Sequence, residues 1–220
     1  MLAAARNLGL PVSDDLNGAR EEGPGGFALM NQIIKDGRRM NMAQAYLYPV
    51  IDRPNLTVLT RTRVTRLVVE NGKAVGIKAL RDGAEITLRA AREVVLSLGA
   101  IRTPQILMLS GIGDRAHLAQ HGIASVLHAP EVGRNFHDHI LHGGCIWESP
   151  EPVKMKNSAA NASGFWKSDP SFDRPDMNIV QIELPYASDA IGKEYNPPAS
   201  AWALCAGLVD PKNRGQVRLP

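Results

Sequence analysis

The sequence predicts an α/β protein: a layered helix–sheet region with an antiparallel flap, followed by a second, β-rich region. Three observations carry this. The apolar run Val-Val-Leu at 94–96 is continuous, as in a strand covered on both faces, and leads into "GAIRTPQILMLSGIG" at 99–113, which reads as a tight turn and a short helix. "RVTRLVVENGKAVGIKAL" surrounds Asn71-Gly72, the strongest short signal of a β-hairpin. From Ile123 onward helical period fades, and "PDMNIVQIEL" and "AWALCAGLV" read as strands.

Taken in order, residues 2–8 read as a first helix, followed by the polar, Gly-rich "PVSDDLNGAREEGPGGFA". Its "GPGG" follows two glutamates rather than an apolar strand, so it reads as a surface loop and not a phosphate loop. "GRRMNMAQAYLYPVID" at 37–52 reads as a helix, with Ala43, Tyr46 and Leu47 sharing one face. "NLTVLTR" at 55–61 reads as a strand, the hairpin follows, and "AEITLRAAREVVLSLGA" supplies two further strands, the second at 94–96. Gly99-Ala100 lets the chain turn sharply, Thr103 suits an N-cap, Pro104 suits the first helical position, and Gly111 stops the helix. Asp114 then caps a second helix, "RAHLAQH", which Gly122 ends.

Composition narrows the function classes. The formal charge of +3 over 220 residues is small, and no Lys/Arg run exceeds the pair Arg38-Arg39, so a nucleic-acid partner is not indicated. No apolar run approaches the ~18 residues of a membrane helix. Cys145 and Cys205 are far apart without CxxC spacing, which points to two reduced, mostly buried thiols and a cytoplasmic protein.

Three places invite chemistry. The strand–turn–helix unit offers free N–H groups and the positive end of a helix dipole at a sheet edge, with small residues at Gly99 and Ala100 that would admit a flat or phosphate-bearing cofactor. Its alternative is a βα turn packed for its own sake. All six histidines lie between His117 and His142, and "NFHDHILH" places His137 and His139 at alternate positions. On a strand those two would share a face and could grip a metal ion. The competing reading is a loop whose Asp and His satisfy backbone groups. Ser110 precedes Gly111 but does not fit G-x-S-x-G, so its hydroxyl reads as a backbone cap rather than a nucleophile.

"GAIRTPQILMLSGIG" is similar to the second signature of the glucose–methanol–choline (GMC) oxidoreductases: a small pair, Ser/Thr-Pro, aliphatics, then Ser-Gly-aliphatic-Gly. Gly99, Ala100, Thr103, Pro104, Leu107, Met108, Ser110, Gly111, Ile112 and Gly113 fit it. "DGRRMNMAQAYL" resembles the family's G-x-R-x-S-x-x-x-A-Y-L with Asn41 for Ser, and "RPNLTVLTRTRVTRLVVENGKAVGI" resembles its N-L-x-V hairpin. "EVGRNFHDH" resembles G-V-G-x-N-L-Q-D-H with Glu131, Phe136 and His137 substituted, and "PKNRGQVRL" resembles P-x-S-R-G-x-V-x-L with Asn213 for Ser. The likeness runs from about residue 9 to the C-terminus and is nearest the choline dehydrogenase-like branch.

The resemblance implies a partial FAD-binding, Rossmann-like domain with an antiparallel flap over residues 1–145, and the beginning of a β-sheet substrate-binding domain over 146–220. It implies FAD as cofactor. Val64 matches the family's valine whose backbone meets the adenine ring, and Gly99 and Ala100 match the turn beside the cofactor. Asp138 and His139 match the loop that closes over the flavin region, where His137 adds a titratable group. The family's N-terminal G-x-G-x-x-G, its first signature and its late His–His or His–Asn pair have no counterpart here. The chain therefore reads as the middle of an enzyme that oxidises the CH–OH group of a small-molecule alcohol by hydride transfer to flavin. No catalytic residue and no metal ligand is expected in it, the electron acceptor is left open, and alone it is expected to be inactive and to hold FAD weakly or not at all. The alternatives are a non-catalytic remnant or binding module of the same fold, and a His-rich metal-binding protein.

Overall fold

The computed structural model describes residues 1–152, 154–155 and 159–220. The chain begins with α1 (Leu2–Asn7), α2 (Ala19–Glu22), β1 (Gly26–Leu29), β2 (Ile34–Lys35) and β3 (Arg38–Arg39). A π-helical turn (Ala43–Leu47) and a 3₁₀ turn (Tyr48–Val50) precede β4 (Thr62–Glu70), β5 (Lys73–Arg81) and β6 (Ala84–Arg89). Next come α3 (Gly99–Leu109), β7 (Ile112–Gly113), α4 (Arg115–Gln120), β8 (Leu127–His128) and β9 (Arg134–Phe136). The remainder holds β10 (Ile140–His142), β11 (Ile146–Glu148), β12 (Ala160–Trp166), β13 (Met177–Ile182), α5 (Asp189–Tyr195), β14 (Ala201–Leu208) and β15 (Gly215–Gln216). These elements form two compact units, Met1–Ile51 with Asp138–Lys212, and Asp52–His137 with Asn213–Pro220. The boundary expected near residue 146 falls inside the first unit. Among the described residues no helix is long and apolar enough to cross a membrane.

The first unit is built on an antiparallel sheet in the order β1-β12-β13-β14-β10, with β11 also pairing β14. Along β14 the small residues Ala201, Ala203 and Cys205 are buried, while Trp202, Leu204 and Leu208 on the other face are half-buried. Small residues recur where a neighbour lies across the strand. Gly164 stands opposite Phe27, whose ring occupies the space a Cβ would need. Trp147 stands opposite Trp202, and their rings stack with centroids 4.9 Å apart and planes 17° from parallel. Both cysteines are free; Cys205 is buried, which pushes its thiol pKa up, whereas Cys145 is exposed, contrary to the expectation of mostly buried thiols.

Asp176, at the entry to β13, is buried and accepts from the Ser168 hydroxyl (2.6 Å) and backbone N–H (2.7 Å). These bonds, the hydroxyl's first, hold its carboxyl below its ordinary value. A lowered native pKa means the folded state favours the carboxylate. Its contribution is full above the unfolded value of about 4 and is lost as pH falls through the lower native value. The stability difference between wild type and Asp176→Asn should therefore be largest at neutral pH and shrink below about pH 4 in denaturant titrations.

In the second unit β4, β5 and β6 form the expected antiparallel flap. Asn71 (φ 51°) and Gly72 (φ 75°) both take the left-handed conformation that a type I′ hairpin turn requires. Asp114 caps α4 as expected, its carboxylate accepting from the His117 N–H at 2.9 Å. Buried Met108, Leu118 and Leu219 form the core of this unit, with Ile123 and Val132 packed against them.

Four expectations need correction. Residues 94–96 join no sheet, and Val95 is 74% exposed: the run has the composition of a doubly covered strand, but no described strand lies beside it. Residues 55–61 are not a strand; Arg61 (φ 51°) breaks the extended run and pairing starts at Thr62. The 37–52 helix starts later, because Asp36 (φ 51°) and Gly37 (φ 70°) close the β2–β3 hairpin and take Arg38 and Arg39 into it. Its first turn is then held by Asn41, whose Oδ1 accepts from the Gln44 N–H at 2.9 Å. The Gly-rich loop ends not at the surface but in β1, at the edge of the larger sheet.

Candidate functional site

The turn at Gly99-Ala100 opens α3. The helix starts five residues earlier than Thr103-Pro104 predicted: Thr103 lies inside it, and its Oγ1 accepts from the Leu98 N–H at 3.2 Å. Pro104 is consequently interior and has no N–H to give to the Ala100 carbonyl. The first amides of the helix likewise have no intrahelical acceptor. Unpaired donors and a released carbonyl are thus concentrated at Gly99 and Ala100, and both residues are exposed. Gly99 has φ 81°, and a Cβ there would meet nothing within 4 Å. The corner is open.

Ala100 and Pro104 line a cleft of about 340 Å³ with Gly133, the strand β9 residues and Val217. The far wall is fixed by pairing: Gly215 lies opposite Phe136, and the Val217 N–H donates to the Gly133 carbonyl at 2.7 Å. Gly133 (φ 85°) has to be glycine, because a Cβ would run into the Val217 carbonyl. Arg134 brings a cation to the same cleft as the positive end of α3. His137 is turned back locally, its ring Nδ1 donating to the Asn135 carbonyl at 2.9 Å.

Val64 is half-buried on β4, opposite Ala79, with a β-bulge between it and Arg66. β4 is an edge strand. Its outward groups are free to meet other partners, as the Leu67 N–H shows by donating to Ser110 Oγ at 2.8 Å. Ser110 is buried and its hydroxyl donates a hydrogen bond to the Ile106 carbonyl at 2.6 Å, so it is a link between α3 and the flap rather than a nucleophile. The structure thus joins Gly99 and Ala100 at one corner; Val64 is on the same unit but does not line their cleft.

The histidines do not converge. His117 is buried, His121 meets its ring edge-on at 4.8 Å, and His128 Nδ1 accepts from the Arg115 N–H at 3.2 Å. Asp138 accepts from the His139 N–H at 2.8 Å, a local backbone bond. Among the described residues no three His, Cys, Asp or Glu side chains gather as a metal centre would require. Asp114 carries the clearest electrostatic mark near the cleft. The His117 N–H, then the Ala116 N–H, His128 and Arg134, hold its carboxyl below its ordinary value against a smaller desolvation effect. Sequence reading did not assign Gly133, Arg134 or Val217 to the site. Their signal was present in "EVGRN" and "RGQVRL", which reach Ala100 together only through the pairing of Gly133 with Val217, far apart in the chain.

The GMC oxidoreductase family model matches residues 1–141. The chain belongs to the GMC oxidoreductase family. This GMC chain is 46% identical over 239 residues to the oxygen-dependent choline dehydrogenase of Staphylococcus xylosus, covering 98% of this chain and 41% of that protein. It is 36% identical over 241 residues to an alcohol dehydrogenase [acceptor] of Pseudomonas putida, covering 96% of this chain and 42% of that protein. Among solved structures, pyridoxine 4-oxidase from Mesorbium loti superposes with a TM-score of 0.86 at 28% identity, over 99% of this chain and 42% of that one. A formate oxidase from Aspergillus oryzae, with a TM-score of 0.80 at 20% identity over 98% of this chain and 45% of that one, shares the fold. The GMC chain thus spans about two fifths of the length of the relatives it matches.

Proposed function

We propose that this chain contributes part of the FAD site and the first strands of the substrate sheet of an oxidoreductase acting on the CH–OH group of a small, choline-like alcohol. The observation that carries the reading is the open Gly99–Ala100 corner in a member of this family. The residues present fit the group: Gly99 leaves free the space that a Cβ would fill, and Arg134 lines the cleft beside Ala100. Bound FAD supplies the hydride acceptor. The chain's own residues bind and orient. The α3 amides and Arg134 favour negative charge, Ala100 keeps the wall thin, and the β4 edge at Val64 offers backbone groups to the adenine end. No residue of this chain is assigned the proton transfer from the alcohol, and the two free thiols support a cytoplasmic setting.

The test uses the FAD-loaded holoenzyme. Choline or another small alcohol should bleach the oxidised flavin band without air, and the choice of oxygen or quinone for reoxidation identifies the acceptor. A flavin that no alcohol reduces overturns the activity. Ala100→Leu adds three carbons to the cleft wall and should weaken FAD retention by roughly 10- to 100-fold with an unchanged far-UV spectrum, an effect of about 1.4–3 kcal/mol. Unchanged retention removes FAD from this corner.

A further inference from the structure

His117 contributes nothing to the lining of the Ala100 cleft, yet it is buried and placed between two groups of the C-terminal segment. Its Nδ1 lies 2.9 Å from an Arg218 guanidinium nitrogen, and its Nε2 lies 3.2 Å from the Leu219 amide nitrogen. Both neighbours are donors. A neutral imidazole has one acceptor nitrogen and an imidazolium has none, so only the neutral ring can fasten this segment. The bond from Arg218 would be charge-assisted and is the shorter of the two.

The fastened segment is the far wall of the cleft. Leu219 is buried against Met108 of α3 and Leu118 of α4. Two residues earlier, Val217 donates to Gly133 at 2.7 Å, and Gly215 pairs with Phe136. Gly133, Phe136 and Val217 then face Ala100 across the opening. The charged or titratable groups around the ring are Arg218 from the C-terminal segment, Asp114 and His121 from its own helix and cap, and Arg134 across a small cavity of about 120 Å³. Asp114 is the one anion among them, and the His117 amide already engages it.

We propose that His117 is a positioning residue for the cofactor cleft: its one acceptor nitrogen takes a hydrogen bond from either Arg218 or the Leu219 N–H, and through that bond it fastens the C-terminal segment and sets the distance between the wall at Val217 and the corner at Ala100. The effect on FAD rests on the placement proposed above; the fastening itself does not. His117→Leu keeps the apolar bulk and removes the acceptor, whereas His117→Asn restores an acceptor near the Nδ1 position. In the apo-protein, amide exchange at Val217 and Leu219 should be at least tenfold faster in H117L, and H117N should return Val217 to within about threefold of wild type. In the holoenzyme, FAD retention should fall about tenfold in H117L and recover in H117N. Unchanged exchange in H117L, or no recovery in H117N, overturns the fastening role. Should H117L fail to fold, Arg218→Met carries the same test from the donor side, and wild-type exchange there is equally decisive against it. Altered exchange with unchanged FAD retention overturns the link to the cleft. If A100L also retains FAD normally, the placement of FAD has failed while the fastening stands.

Discussion

Gly133→Ala is expected to lower the unfolding free energy of the second unit by about 3–5 kcal/mol and to abolish the cleft wall with it. Two costs combine. A non-glycine residue held at φ 85° carries backbone strain of about 1–3 kcal/mol. The new methyl also collides with the Val217 carbonyl, a backbone atom of the residue whose N–H is bonded to the Gly133 carbonyl, so that relief would pull on that bond. Gly122→Ala is the matched control. Gly122 also has a positive φ, 67°, but a Cβ there meets nothing within 4 Å, so about 1–2 kcal/mol of strain is expected alone. Denaturant titration of both variants isolates the collision; equal losses would refute it.

Leu118→Ala is expected to cost about 2–5 kcal/mol. Leu118 is fully buried and meets Met108 and Leu219, so its removal leaves a cavity where α3, α4 and the C-terminal segment join. Because Leu219 loses a neighbour, the variant should also weaken protection of the Leu219 amide. A loss below about 1 kcal/mol would mean that the site collapses and that the core is less constrained than its burial implies.

Local signals were legible in the sequence and non-local ones were not. Asn71-Gly72 and Asp114 declare themselves within four residues, because turn and cap energetics are local. The α3 stop at Gly111 is of the same kind. The start of α3 was misplaced because Thr103-Pro104 satisfies the capping pattern inside a helix that already began at a left-handed glycine. β1 was missed because its partner β12 is more than a hundred residues away and nothing in "GPGGFA" indicates it. The run at 94–96 shows the reverse: its composition records a layered environment, but a strand also needs neighbours along its edges. For the site, the small-residue corner could be read directly. The opposing wall could not, since Gly133 meets Val217 only through tertiary pairing.

The stacked pair Trp147 and Trp202 has a practical consequence when set beside the division of the chain. Trp147, Trp166 and Trp202 and all four tyrosines fall in the first unit, which leaves Phe136 as the aromatic residue of the second. Ultraviolet emission and the exciton couplet of the indole pair therefore watch one half of the molecule and are blind to the other. Melting of the α3–α4 half would pass unseen by intrinsic fluorescence, and a tryptophan introduced there would give it an optical signal of its own.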